Sequence, residues 1–89
     1  MSEQKTENKY IKIVETRSAE KTRFFDVINK NGDYPIGEIY WYGTWRQYCF
    51  FPYEDMVFNS TCLDLINDTL KEINVKHRSN WKQKIQEEK

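Results

Sequence analysis

The chain has 89 residues, enough for one domain near the lower size at which a core sustains itself, and too few to make a deep enzymatic cleft a natural expectation. Fourteen basic and fourteen acidic side chains cancel, so no global field draws in duplex DNA or an anionic membrane. Charged residues make up 31% and mean hydropathy is −0.91, a profile of disorder were it not for 16% aromatics, each of which removes about 150–250 Å² from water when buried.

Residues 1–9 are polar and aperiodic, which predicts a flexible leader before a single domain over 10–75. No charged, apolar and small-residue succession marks a signal peptide, and the longest apolar run is too short to span a membrane. In residues 10–14, Ile11 and Ile13 alternate with Tyr10, Lys12 and Val14, giving a short first strand. Residues 22–29 are rich in β-branched and aromatic side chains without clean alternation, as in an interior strand with apolar contacts on both faces. Asn31-Gly32 is a type I′ turn signal leading to a third strand at 34–42, in which Pro35 requires an edge or a bulge.

The densest feature follows. Residues 40–52 contain seven of the fourteen aromatic side chains around Gly43-Thr44, read as a type II′ turn into a fourth strand at 45–51 that Pro52 ends. A two-residue turn pairs Tyr42 with Trp45, Trp41 with Arg46, Tyr40 with Gln47, Ile39 with Tyr48 and Glu38 with Cys49. Alternation then gives one face Ile39, Trp41, Arg46, Tyr48 and Phe50, and the other Ile36, Glu38, Tyr40, Tyr42, Trp45, Gln47, Cys49 and Phe51. The first, more apolar, is assigned to the core, with Arg46 placed to make a cation–π contact on Trp41. The second carries Tyr40, Tyr42, Trp45 and Gln47, with Arg46 at the rim. Tyr, Trp and Arg dominate interface hot spots, which makes these five the candidate binding residues. The first strand or the C-terminal tail could instead cover that face.

Residues 53–59 read as a loop tucking Met56, Val57 and Phe58 against the core edge. Thr61 with Asp64 resembles a capping box, and Leu63, Ile66, Leu70 and Ile73, flanked by Cys62 and Leu65, form the stripe of an amphipathic helix covering one sheet face. Beyond Val75, residues 76–89 form a basic, then acidic extension. Ser79 there could cap a short second helix bearing Trp81 and Ile85. The predicted fold is α+β: a four-stranded, mostly antiparallel sheet packed on one main helix, with a polar C-terminal extension.

Catalytic chemistry finds little support. His77 is the single histidine, so neither a multi-His metal site nor a Ser/His/Asp set beyond it can be assembled, and three glycines make no phosphate loop. Cys49 and Cys62 read as small buried residues rather than as a disulfide or metal pair. No catalytic residue, metal ligand or cofactor is expected, and the chain is read as a non-enzyme.

The succession Gly37-Glu38-Ile39, Trp41-Tyr42-Gly43, Trp45-Arg46-Gln47-Tyr48, Phe50-Phe51-Pro52 resembles a family of small uncharacterised proteins encoded by bacteriophages and integrated elements, over residues 21–70. Tyr53 departs from the pattern, where an acidic or small residue is more usual. The resemblance implies a phage origin, while the two cysteines and the lack of a signal-peptide pattern lead to the expectation of a reducing host cytoplasm. Small phage proteins without catalytic residues often act stoichiometrically, which gives the leading expectation: an inhibitor or adaptor of a host protein, such as a counter-defence factor. A binder of nucleotides or single-stranded nucleic acid through stacked rings, and a self-associating homo-oligomeric component, are the alternatives.

Overall fold

The computed structural model describes the backbone of residues 6–18 and 22–87 and the side chains of residues 6–17 and 22–79. Strands β1 (Ile11–Ser18), β2 (Arg23–Asn29), β3 (Tyr34–Tyr42) and β4 (Gln47–Pro52) form an antiparallel meander in that order, followed by one helix, α1 (Ser60–Glu87). The α+β architecture read from the sequence is the one observed.

The core lies between α1 and one face of the sheet. Ile11 and Ile13 from β1, Phe25 and Val27 from β2, Ile36 and Ile39 from β3, and Tyr48 from β4 meet Cys62, Leu65, Ile66 and Ile73 of the helix. Val27 and Ile39 are fully buried, each worth about 1.5–3 kcal/mol relative to exposure. Trp41, Phe50, Met56, Phe58 and Leu70 close the margin.

Two bulges set which side chains face which way. In β1 the register against β2 shifts between Glu15 and Arg17, so Arg17 lies opposite Phe24 instead of continuing on the face of Ile11 and Ile13. In the β2–β3 pair, Val27 aligns with Gly37 but Ile28 with Pro35, leaving Ile36 as the extra residue. That bulge turns Ile36 into the core, correcting its assignment to the outer hairpin face, and accommodates the Pro35 that the sequence flagged.

Both hairpins close through four-residue loops rather than the expected two-residue turns. The Asn29 carbonyl accepts the Asp33 N–H at 2.8 Å, and the Tyr42 carbonyl accepts the Arg46 N–H at 2.9 Å. Positive φ falls on Gly32 and Asp33 in the first loop and on Arg46 in the second, so Asn31 and Gly43 do not adopt the conformations that I′ and II′ turns demand.

The helix starts at a different cap. Asn59, not Thr61, is the N-cap: its side-chain oxygen accepts the Cys62 N–H at 2.8 Å and its carbonyl accepts the Leu63 N–H at 3.0 Å. Thus Phe58 precedes the cap and packs edge-on to Phe50 at 5.3 Å. The inward stripe is Cys62, Leu65, Ile66, Thr69 and Ile73, whereas Leu63 is 49% exposed and Val57, expected against the core, is 88% exposed. Without a Gly or Pro after Val75, α1 continues to Glu87 as one helix, replacing the expected break before Ser79. The side chains of Trp81 and Ile85 lie outside the described residues, as do residues 1–5 of the expected leader. Within that leader, Asn8 is anchored: its side-chain oxygen accepts the Tyr10 and Ile11 N–H groups, and its amide donates to the Thr61 carbonyl.

Candidate binding surface

The β3–β4 register differs from the one read from the sequence, yet both hairpin faces survive. Tyr42 pairs with Gln47, Trp41 with Tyr48, Tyr40 with Cys49, Ile39 with Phe50 and Glu38 with Phe51. Two further residues, Trp45 and Arg46, enter the loop, and an offset of two leaves strand parity unchanged. Ile39, Trp41, Tyr48 and Phe50 face the helix; Glu38, Tyr40, Tyr42, Gln47, Cys49 and Phe51 face away.

On the helix side, Trp41 packs edge-on to Tyr48 at 5.4 Å and against His77 at 4.6 Å. The expected Trp41–Arg46 cation–π pair is therefore replaced, because Arg46 has left the strand and occupies the left-handed region at φ 56. Tyr48 is tied further: its hydroxyl accepts the Arg23 N–H at 3.0 Å, and its backbone N–H and carbonyl pair with the Asn74 side chain at 2.7 and 3.3 Å.

The opposite face carries a continuous run of rings. Phe24 lies 6.2 Å from Tyr40; Tyr40 stacks on Phe51 at 4.0 Å with planes 5° apart; Tyr42 stands edge-on to Phe51 at 5.9 Å and to Trp45 at 5.1 Å. Tyr40 and Tyr42 are half-buried among these neighbours, Trp45 is 65% exposed at the hairpin tip, and Arg46 and Gln47 are exposed beside it. All five candidate residues thus gather at one end of this face. Strand β1 extends the sheet sideways and the core stripe of α1 packs on the other side, so among the described residues neither covers this face; the side chains of Trp81 and Ile85, considered as its cover, lie outside them.

Sequence reasoning missed several members of this face. Phe24 joins it through the β2–β3 register, Arg17 through the β1 bulge, and Asp26 as the direct partner of Glu38. The Arg17 guanidinium sits 4.4 Å over the Phe24 ring. Thr16, Arg17, Phe24, Asp26, Glu38 and Tyr40 line a shallow groove of about 250 Å³.

Tyr53, from the loop after β4, donates its hydroxyl to Glu38 at 2.7 Å. That hydrogen bond, more than burial, pushes the Tyr53 phenol up from 10 to about 12. A value raised in the folded state means that the contact contributes in full below the unfolded value and is lost as pH climbs through about 12. Tyr53→Phe is expected to remove one phenol titrating near pH 12 from the phenolate absorbance curve; loss instead of a phenol titrating near 10 would show the contact to be absent in solution.

The thiols of Cys49 and Cys62 are free, the first on the open face, where burial raises its pKa, and the second in the core. Among the described residues no group of three or more His, Cys, Asp or Glu converges as a metal site, and no helix is long and apolar enough to cross a membrane.

No family model matches the chain, and no solved structure matches it. It is similar to an uncharacterized 9.3 kDa protein of Acholeplasma phage L2, with 30% identity over 65 residues covering 72% of this chain and 83% of the phage protein. At that identity and coverage, the chain belongs to the family of this phage protein.

Proposed function

We propose that this is a small non-enzymatic protein of phage or mobile-element origin that binds a host protein stoichiometrically, as an inhibitor or adaptor, through the open face of its sheet. The observation that carries this reading is the run of rings from Phe24 through Tyr40, Phe51 and Tyr42 to Trp45, on the face that α1 leaves uncovered. Aromatic side chains on a hydrogen-bonded sheet present large contact area with few rotamers to freeze, the property that makes Tyr and Trp interface anchors. A host counter-defence target fits this mode of action. Stacked bases would also suit the rings, but Asp26 and Glu38 in the middle of the face oppose a phosphate backbone, which favours the protein reading.

The test is affinity capture from host lysate with Tyr42→Ala and Trp45→Ala. Both side chains stand outside the core cluster, so the variants are expected to keep the fold by circular dichroism while losing the captured protein by about thirtyfold or more, the ≥2 kcal/mol scale of interface hot spots. Retention of the same partner by the folded double variant would sink the proposal. Fluorescence titration of Trp45 with oligonucleotides and nucleotides at low salt addresses the nucleic-acid alternative.

A further inference from the structure

Building on the open face as a protein-binding surface, we propose that its groove receives a cationic side chain of the partner, an arginine above all, between the carboxylates of Asp26 and Glu38 and beside the rings of Phe24 and Tyr40. Asp26 and Glu38 are direct cross-strand partners in the β2–β3 register, and like charges so placed repel. Among the described residues, the Glu38 carboxylate accepts a hydrogen bond only from the neutral Tyr53 hydroxyl, and the Asp26 carboxylate has neither a hydrogen bond nor an ion pair. Both are half-buried, at the centre of the groove rather than on its rim. Among the described residues, therefore, no cation of the chain forms an ion pair with either of these two carboxylates.

The surroundings suit a guanidinium in particular. Ring faces carry negative quadrupole density, and on this same face the Arg17 guanidinium already lies 4.4 Å over Phe24. The β1 bulge places Arg17 there, and it forms no ion pair with either carboxylate, so the space between them stays open. A planar guanidinium offers donors to both carboxylates at once while its face meets Tyr40, a geometry that an ammonium matches less well. Anionic occupants would meet two carboxylates, and a second copy presenting this face would bring its own acids against them.

The experiment titrates the full chain with the blocked tripeptides acetyl-Gly-Arg-Gly-amide and acetyl-Gly-Glu-Gly-amide at low ionic strength, followed by NMR shifts. The arginine peptide is expected to move Asp26, Glu38, Phe24 and Tyr40 resonances and to bind about tenfold more tightly than the glutamate peptide. Asp26→Asn and Glu38→Gln are each expected to weaken that binding severalfold, and in Asp26→Asn the melting temperature holds or rises, since the opposed charges are relieved. Equal response to both peptides, shifts confined to the helix face, binding indifferent to both substitutions, or a drop in melting temperature on neutralising Asp26 would overturn the proposal. So would a concentration-dependent dimer abolished by Asp26→Asn, which would assign the groove to a second copy. If host capture depends on Tyr42 and Trp45 but not on Asp26 and Glu38, this inference fails and the broader reading stands; loss of that reading shows instead as capture indifferent to Tyr42 and Trp45.

Discussion

Gly37→Ala is expected to destabilise the fold by about 1–3 kcal/mol, with roughly 4–8 °C lost from the melting temperature for each kcal/mol. A Cβ at Gly37 would stand 2.6 Å from Cε1 and 2.8 Å from Cζ of the Phe50 ring, and 3.1 Å from the Phe51 carbonyl oxygen. The ring cannot withdraw freely, because Phe58 braces it edge-on at 5.3 Å and both belong to the margin of the core. Phe50 thus fills the space that Gly37 leaves, and this contact helps hold the register that sets Ile39 opposite Phe50. Gly43→Ala is the control: no heavy atom lies within 4 Å of its Cβ position and its φ is not in the left-handed region, so a shift within about 0.5 kcal/mol is expected. Thermal melts of the two variants decide the matter. In Phe50→Leu the Gly37→Ala cost is expected to shrink, as coupling between touching residues requires; equal costs in both backgrounds would show that Phe50 is not the obstacle.

Much of the fold was legible because local signals agreed. The bounds of β3 follow from a turn on either side, and the division of the aromatic hairpin into two faces survived a wrong loop length because the error was even. What stayed illegible depends on long-range packing. An uninterrupted strand pairing from the first hairpin would set Phe25 opposite Glu38 and force a core ring and a carboxylate onto one face. The bulge at Ile36 removes that conflict, returning Phe25 to Ile39 and Asp26 to Glu38. Nothing local in Pro35-Ile36-Gly37 fixes where the extra residue goes, so the opposed acids at the centre of the open face were invisible in the sequence. The helix stripe was ambiguous for a similar reason: Leu63 and Leu65 both fit an apolar face, and docking on the sheet chose Leu65. That the candidate residues near the hairpin tip lie close together follows from the turn and strand alternation of one hairpin, whereas placing Phe24, Arg17 and Asp26 beside them required the register of two other strands.

Asn74→Leu is expected to cost about 1–3 kcal/mol for each backbone group it orphans, and to unmask an edge as well. β4 is the last strand of the sheet, so its outward peptide groups have no neighbouring strand. At Tyr48 the Asn74 carboxamide of α1 stands in for one, accepting the N–H at 2.7 Å and donating to the carbonyl at 3.3 Å. Leucine is close in size but supplies neither a donor nor an acceptor, and it keeps water from replacing them. The Tyr48 amide should then exchange its proton markedly faster, and the melting temperature should fall. Because the freed edge belongs to the strand bearing Phe50 and Phe51, concentration-dependent sedimentation is expected in the variant. Asn74→Asp retains the acceptor but loses the donor, so it should fall between Leu and the native protein. Unchanged Tyr48 exchange and an unchanged melting temperature in Asn74→Leu would mean that the helix holds the sheet through its apolar stripe alone, with the carboxamide contributing nothing to closing the edge.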